Sequence, residues 1–219
     1  IRELVFSNMV FENRVHAGNL LTAEISKLKL DLKNVTVCAI PRGGVAVGAA
    51  VSQNLVVPLA ALVIKKLGAP TNPELAIGAV ASHGEPVLDR WLIADLGVTS
   101  DFVKKEVRTK RKEAALREKF LGVALVRSEF EGKVVVVVDD GLATGQTAKA
   151  AARILRQNKA SRLILAVPCA SPSTIDFLKD DYDQIICLVV DPNLEAVGQY
   201  YRDFRPVDDE EAKELLQRN

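Results

Sequence analysis

Residues Val134 to Thr147 read VVVVVDDGLATGQT. A run of five β-branched residues packs on both faces of a sheet, so it reads as a strand in the middle of a parallel sheet. Asp139 and Asp140 follow at once, at the strand's carboxyl end, where open α/β sheets bind their ligands. Neighbouring strand residues point to opposite faces, and burying both carboxylates in the core is costly. At a strand end, both can accept hydrogen bonds from a diol, or hold a hydrated Mg²⁺. The turn Gly141-Leu142-Ala143-Thr144-Gly145-Gln146-Thr147 then enters the helical run AKAAARILRQ. Its backbone N–H groups, the hydroxyls of Thr144 and Thr147 and the helix N-terminus make an anion site. Each hydrogen bond to a charged phosphate contributes about 1.5–3 kcal/mol. The stretch therefore reads as a site for a phosphate and sugar hydroxyls together.

The rest of the chain supplies the sheet around it. Val35 to Ile40, Val56 to Ile64, Leu163 to Val167 and Ile185 to Val190 read as strands. Helical spacing marks Asn13 to Leu30, Gly44 to Asn54, Lys149 to Gln157 and Thr174 to Leu178. Strands alternating with helices predict an α/β fold with a parallel sheet. The middle departs from this rhythm. Leu75 to Val80 and Pro86 to Leu88 read as a hairpin around Ser82-His83-Gly84-Glu85, and Trp91 to Phe120 as helix with a break at Gly97 to Ser100. One domain over residues 1–219 is expected, with a flexible insert at about 66–120 after the second main strand. A long segment outside the sheet suggests a lid.

Composition narrows the partners. Across 219 residues the formal net charge is +1, which argues against a nucleic-acid partner attracted by global charge. No apolar run has membrane-spanning length, so no membrane partner is expected. The opening residues lack a charged-then-apolar leader pattern. Cys38, Cys169 and Cys187 sit inside apolar runs without a C-x-x-C pair, as small core residues of a reducing cytoplasm would. His16 and His83 are isolated and suggest no metal site.

Three further motifs carry chemistry. Ile40-Pro41-Arg42-Gly43-Gly44 lies between the first main strand and its helix. Two glycines let the backbone approach a ligand, and Arg42 can grip phosphate oxygens in a fork. Lys65 and Lys66 follow the second strand. Between Lys104 and Lys119 stand Lys104, Lys105, Arg108, Lys110, Arg111, Lys112, Arg117 and Lys119, opposed by Glu106, Glu113 and Glu118. That segment reads as a solvated helix, a cover for an anion or a nucleic-acid surface. It has no aromatic interleaving for base stacking. A Walker-type P-loop is excluded because Gly141 and Gly145 are one residue too close and Gln146 stands at the lysine position.

The stretch VVVVVDDGLATGQTA resembles the PRPP-binding motif of the type I phosphoribosyltransferases. The tail Val197-Gly-Gln-Tyr-Tyr-Arg-Asp-Phe204 resembles most the uncharacterised predicted phosphoribosyltransferases. The resemblance implies that fold, with a C-terminal hood at about 186–207. It implies that Asp139 and Asp140 take the ribose hydroxyls and, through water, Mg²⁺ as cofactor. Gly141, Leu142, Ala143, Thr144, Gly145, Gln146 and Thr147 would wrap the 5′-phosphate. Arg42, Gly43, Gly44, Lys65, Lys66 and Arg202 would bind pyrophosphate, in a loop that often carries a cis non-proline peptide. Asp139, Asp140, Arg42 and Lys66 would be the catalytic set. Val190, Asp191, Tyr200 and Tyr201 would face the base. Oxopurine enzymes carry an aspartate where Ala143 stands, and the Leu-Ala-Thr-Gly form is closer to the adenine and orotate branches.

The implied reaction moves ribose 5-phosphate from PRPP to a small-molecule nitrogen acceptor, a nucleobase, with release of pyrophosphate. A homodimer is the state the resemblance implies. The rival expectation is a PRPP-responsive regulator that binds RNA or DNA through the basic helix without catalysis.

Overall fold

The computed structural model describes residues 2–3, 10–73, 75–123 and 129–218. In chain order the elements are β1 (Arg2–Glu3), α1 (Arg14–Ser26), β2 (Val35–Ala39), α2 (Gly43–Leu55), β3 (Leu59–Ala61), β4 (Lys65–Gly68), β5 (Ala76–Val80) and β6 (Val87–Leu88). There follow α3 (Arg90–Asp95), α4 (Ser100–Leu121), β7 (Val134–Val138), α5 (Gln146–Gln157), β8 (Arg162–Ala170), α6 (Pro172–Leu178), β9 (Gln184–Val190) and α7 (Asp209–Gln217).

The main sheet runs β1-β9-β8-β7-β2-β3, and every pairing in it is parallel. The valine run lies at its centre, as its unbroken apolar pattern predicts. Val135 and Val137 join the core under α5 and α6, with Leu155, Leu163 and Leu165. Val136 and Val138 join the core under α1 and α2, with Leu21, Val47 and Val51. Strand β2 pairs with β7 from Val35↔Val134 to Ala39↔Val138. The two strands end level, so the loops after Ala39 and Val138 leave the sheet side by side.

The insert forms a sheet of its own outside the main one: β4 joins the expected hairpin, and β4, β5 and β6 make a separate antiparallel sheet. Gly78↔Leu88 and Ala79↔Val87 pair across the hairpin read from the sequence. Lys65 and Lys66, read as following a strand, begin β4 and pair with Val80 and Ala79. Leu67, Ile77 and Val80 of this small sheet are buried in one cluster, with Phe102, Val103 and Val107 of α4 packed against it. Helices α3 and α4 break where the sequence breaks: Gly97 is left-handed at φ +60°, and the Thr99 hydroxyl accepts from the Phe102 N–H.

The strand expected over 56–64 shortens to three residues. Val56 instead ends α2 in the left-handed region at φ +56°, and Pro58 follows without an N–H to donate. The expected hood begins inside β9, which is a strand of the main sheet. The three cysteines are free and buried. Burial, the largest cause, pushes the Cys38 and Cys169 thiols well above their ordinary range, so both are neutral core residues. No helix among the described residues is long and apolar enough to cross a membrane.

Helices α1 and α2 touch at Gly18, where a Cβ would lie 2.7 Å from both the Val47 carbonyl oxygen and the Ala50 methyl. Alanine gains at most about 1 kcal/mol of helix propensity over glycine. Overpacking a fixed contact costs about 1–3 kcal/mol. Because one partner is backbone, the contact should win: Gly18→Ala is expected to lower stability by about 1–2 kcal/mol. Urea unfolding should show a lower midpoint at unchanged slope. A midpoint at or above the parent's would show that the helices separate freely.

Candidate active site

The level ends of β2 and β7 bring two loops into direct contact. The Pro41–Arg42 peptide is cis, and Gly43 opens α2 against the acid pair. A Cβ on Gly43 would sit 1.8 Å from Asp140 Oδ2, and one on Gly44 would meet the Val138 carbonyl oxygen at 2.8 Å and the Asp139 Cα at 2.9 Å. Only glycine fits at either position. Beside this contact opens a cavity of about 570 Å³. Arg42, Gly43, Lys65, Lys66, Asp139, Asp140 and Thr147 line it, and Arg117 joins them from α4. Four cations thus face two carboxylates, the balance a polyphosphate requires.

The two acids are held differently. The guanidinium of Arg14, in the first turn of α1, donates to Asp140 Oδ2 from Nε at 2.8 Å, and its Nη2 lies 2.8 Å from the same oxygen. Arg14 is buried, donates from Nη1 to the Arg205 carbonyl at 2.8 Å and stacks 4.0 Å over the Phe204 ring. The Tyr201 hydroxyl donates to the Asp140 carbonyl at 2.7 Å. Asp140 is therefore fixed through one carboxylate oxygen and its backbone. Asp139 Oδ1 accepts from the Asp140 N–H at 2.9 Å. Burial first, and then the neighbouring Asp140 charge, push the Asp139 carboxyl well above the usual carboxylate range. A cation or a hydroxyl donor in the cavity would relieve both effects.

The loop after the acids is mixed. Leu142 is a core residue: its side chain is buried, and its N–H donates to the Cys169 carbonyl at 2.9 Å. Gly141 passes under Val197, where a Cβ would lie 2.5 Å from Cγ1. Ala143, Thr144 and Gln146 are exposed. The Thr174 hydroxyl donates to the Ala143 carbonyl at 3.0 Å and fixes the turn. Gly145, left-handed at φ +70°, starts α5 with no side-chain cap. The N–H groups of the first turn remain the orphan donors of an uncapped helix. Thr147 reaches the cavity.

The hood residues lie further out. Tyr201 is buried between Phe11, at 5.3 Å between ring centroids, and Phe204, at 4.9 Å, so its ring has no free face for a base. The Tyr200 hydroxyl donates to Asp191 Oδ2 at 2.6 Å, which is the first cause of the Asp191 carboxyl lying below its usual range. Val190 ends β9, half-buried. Arg202 is exposed and pairs with Glu12 at 2.8 Å, away from the cavity lining.

Sequence reasoning missed three residues here. Arg14 stands in a first helical turn, where the dipole favours acids, and that misfit was its signal. Arg117 reads only as one of eight bases on a helix that could cover an anion, and nothing in the spacing singles it out. Asp209 reads as part of the acidic start of α7, yet its carboxylate pairs with Arg42 Nη1 at 3.3 Å and with Arg117 Nη1. The Arg117 hydrogen bond is the first cause holding Asp209 below the usual carboxylate range.

Among the described residues, no group of three or more His, Cys, Asp or Glu side chains is arranged to hold a metal. Asp139 and the second oxygen of Asp140 nonetheless fit Mg²⁺ held through water and completed by substrate oxygens. A second cavity, of about 610 Å³, opens behind α5 beside β6, where Arg153 and Arg156 are already paired with Asp181 at 3.6 Å and Asp183 at 2.7 Å.

The sequence model of the phosphoribosyl transferase domain matches residues 11–205. The Mycobacterium tuberculosis H37Rv protein named "Putative phosphoribosyl transferase Rv0571c" is 34% identical over 209 residues, covering 95% of this chain and 47% of that protein. The chain thus spans about half the length of the curated relatives it matches. The crystal structure of TT1426 from Thermus thermophilus is 36% identical and covers 96% of this chain and 99% of its own, with a TM-score of 0.84. AQ2163 from Aquifex aeolicus, 16% identical, covers 81% of this chain and 74% of its own at a TM-score of 0.50, a likeness of fold.

Removing one partner of a buried ion pair leaves an uncompensated charge and costs about 3–5 kcal/mol. Arg14→Ala should destabilise the protein by about that amount, judged by denaturant unfolding. In the Arg14→Ala background, Asp140→Asn should restore part of the loss. Strictly additive effects of the two changes would show that the pair is not coupled.

Proposed function

The chain belongs to the phosphoribosyl transferase family, and from that premise we propose that it transfers ribose 5-phosphate from PRPP to a nitrogen of a nucleobase-like acceptor, releasing pyrophosphate. One observation carries the reading: a Pro-Arg-Gly-Gly loop seated on an Asp-Asp pair, with four cations around a single cavity. Asp139 and Asp140 accept hydrogen bonds from the two ribose hydroxyls. The uncapped start of α5, with Thr144 and Thr147, receives the 5′-phosphate. Leu142 serves this loop as a core anchor, since its N–H already has an acceptor. Arg42, Lys65 and Lys66 draw in the pyrophosphate.

The chemical task is to stabilise negative charge on the departing pyrophosphate while positive charge grows at the anomeric carbon. Fixed cations and carboxylates do this without reorganising as the bond breaks. When bound, Mg²⁺ would neutralise pyrophosphate charge and join it to the ribose hydroxyls. Lys66 has no acidic partner among the described residues, so its charge is available to the leaving group. The acceptor enters from the side of Val190, Asp191 and Tyr200. These 219 residues form one domain that works in the cytoplasm, a reading supported by its buried free thiols, and as a homodimer.

Three bases of the basic helix are engaged within the chain, while Lys104, Lys105, Arg108, Lys112 and Lys119 are exposed. Lys110 pairs with Glu113 at 2.9 Å, Arg111 donates to the Gly84 carbonyl, and Arg117 turns inward to Asp209. Calorimetric titration of PRPP with Mg²⁺ should give binding in the parent. Two lost hydrogen bonds of about 1.5–3 kcal/mol each predict a hundredfold or greater weakening in Asp139→Asn/Asp140→Asn. Asp139→Asn alone, which leaves the Arg14 pair intact, should weaken binding about tenfold or more. Unchanged affinity in both variants would sink the ribose assignment. A nucleobase panel read by pyrophosphate release then identifies the acceptor.

A further inference from the structure

Arg117 reaches the cavity from α4, while Arg42 reaches it from the loop after β2. Their guanidinium groups converge on one carboxylate, with Arg42 Nη1 at Asp209 Oδ1 and Arg117 Nη1 at Asp209 Oδ2. Two arginines from separate elements gripping the two oxygens of one anion is the geometry that also holds a phosphate group. The carboxylate here belongs to the chain itself, at the first residue of α7.

Helix α7 does not need Asp209 for its start. Asp208 caps it, accepting from the Glu211 N–H at 2.8 Å, and Glu210 and Glu211 supply the acidic first turn. The Asp209 side chain is 38% exposed, so it can turn into water without uncovering core. A carboxylate left in place would repel an arriving phosphate. Like charges brought to one site repel, and more strongly where water is partly excluded. The arriving anion and Asp209 therefore compete for the same two cations.

We propose that Arg117 is a further pyrophosphate-binding residue, and that Asp209 is an internal anion that occupies Arg42 and Arg117 until the pyrophosphate group of PRPP displaces it. When pyrophosphate departs, Asp209 returns to the arginines and hastens its release. This rests on the phosphoribosyl reading above and adds to it the residue that competes with the leaving group.

The test is calorimetric titration of inorganic pyrophosphate with Mg²⁺ into the full chain. Asp209→Asn should bind about fivefold to tenfold more tightly than the parent, on the scale of one charged hydrogen bond. Arg117→Gln should bind about tenfold more weakly, and Asp209→Asn should gain less in that background. Glu210→Gln is the control: it removes the same charge from the same turn, but among the described residues Glu210 pairs with Lys213 alone, at 4.0 Å. Thermal unfolding checks each variant, and Asp209→Ser repeats the comparison should Asp209→Asn fail to fold. Unchanged or weaker binding in the Asp209 variants overturns the inference, as does an equal gain from Glu210→Gln, which would mark a general charge effect. In both cases a parent that still binds PRPP leaves the phosphoribosyl reading standing. A parent that binds neither PRPP nor pyrophosphate removes both.

Discussion

Strands β2 and β7 are paired in register over their full lengths, Ala39 beside Val138, and the geometry of the cavity descends from that pairing. A slip of one residue would reverse every valine between the two core faces. It would also carry Arg42 and the glycines away from Asp139 and Asp140. Both faces of β7 are covered, so hydrophobic burial fixes the register, and the register fixes the loops. The loops then admit no side chain between them, because Gly43 already touches the Asp140 carboxylate and Gly44 the backbone at Val138 and Asp139. A large apolar constraint thereby sets a polar contact to within tenths of an ångström.

The same economy governs charge. Two adjacent carboxylates at a strand end repel each other, and burial discourages both from ionising. Arg14 resolves half of the conflict by fixing Asp140 from beneath, through two nitrogens on one oxygen. A buried pair of this kind adds little net stability against an apolar replacement, because desolvation offsets attraction. What it secures is position: the Asp140 carboxylate is held beside Asp139 in the cavity lining. Tyr201 reinforces this from the hood side, through the Asp140 carbonyl. Within the tail, Tyr201 thus braces the acid pair, and the Phe204 ring stacks on Arg14.

The sequence made the local parts legible. Five valines, a Gly/Thr turn and a strand–Gly-Gly–helix junction announce themselves through periodicity and turn chemistry, and each occurs where it was read. What the sequence hid depends on partners far away along the chain. Arg14 meets Asp140 across 126 residues, Arg42 meets Asp209 across 167, and Arg117 meets Asp209 across 92. No periodicity encodes such pairs. Strand β4 escaped for a different reason. Four residues with two lysines carry no alternation of their own, and they become a strand only because β5 offers an edge to pair with. Tyr201 looked available because an aromatic in a polar tail has no visible neighbours until Phe11 and Phe204 close over it.

The insert gains its meaning from these long-range contacts. Ser82, just after β5, donates to the buried Glu118 of α4 at 2.7 Å and lies 2.8 Å from His83 Nδ1. Lys65 of β4 sits 3.9 Å from Glu113, one helical turn before Arg117. The small sheet is thus joined to α4 by an apolar face and by polar contacts near its end. Lys65, Lys66 and Arg117 enter the cavity from this one assembly, while Arg42 enters from the main sheet. Asp209 of α7 pairs with one arginine from each. An anion arriving between them meets cations from both bodies, and by replacing the Asp209 carboxylate it can join the two through its own oxygens.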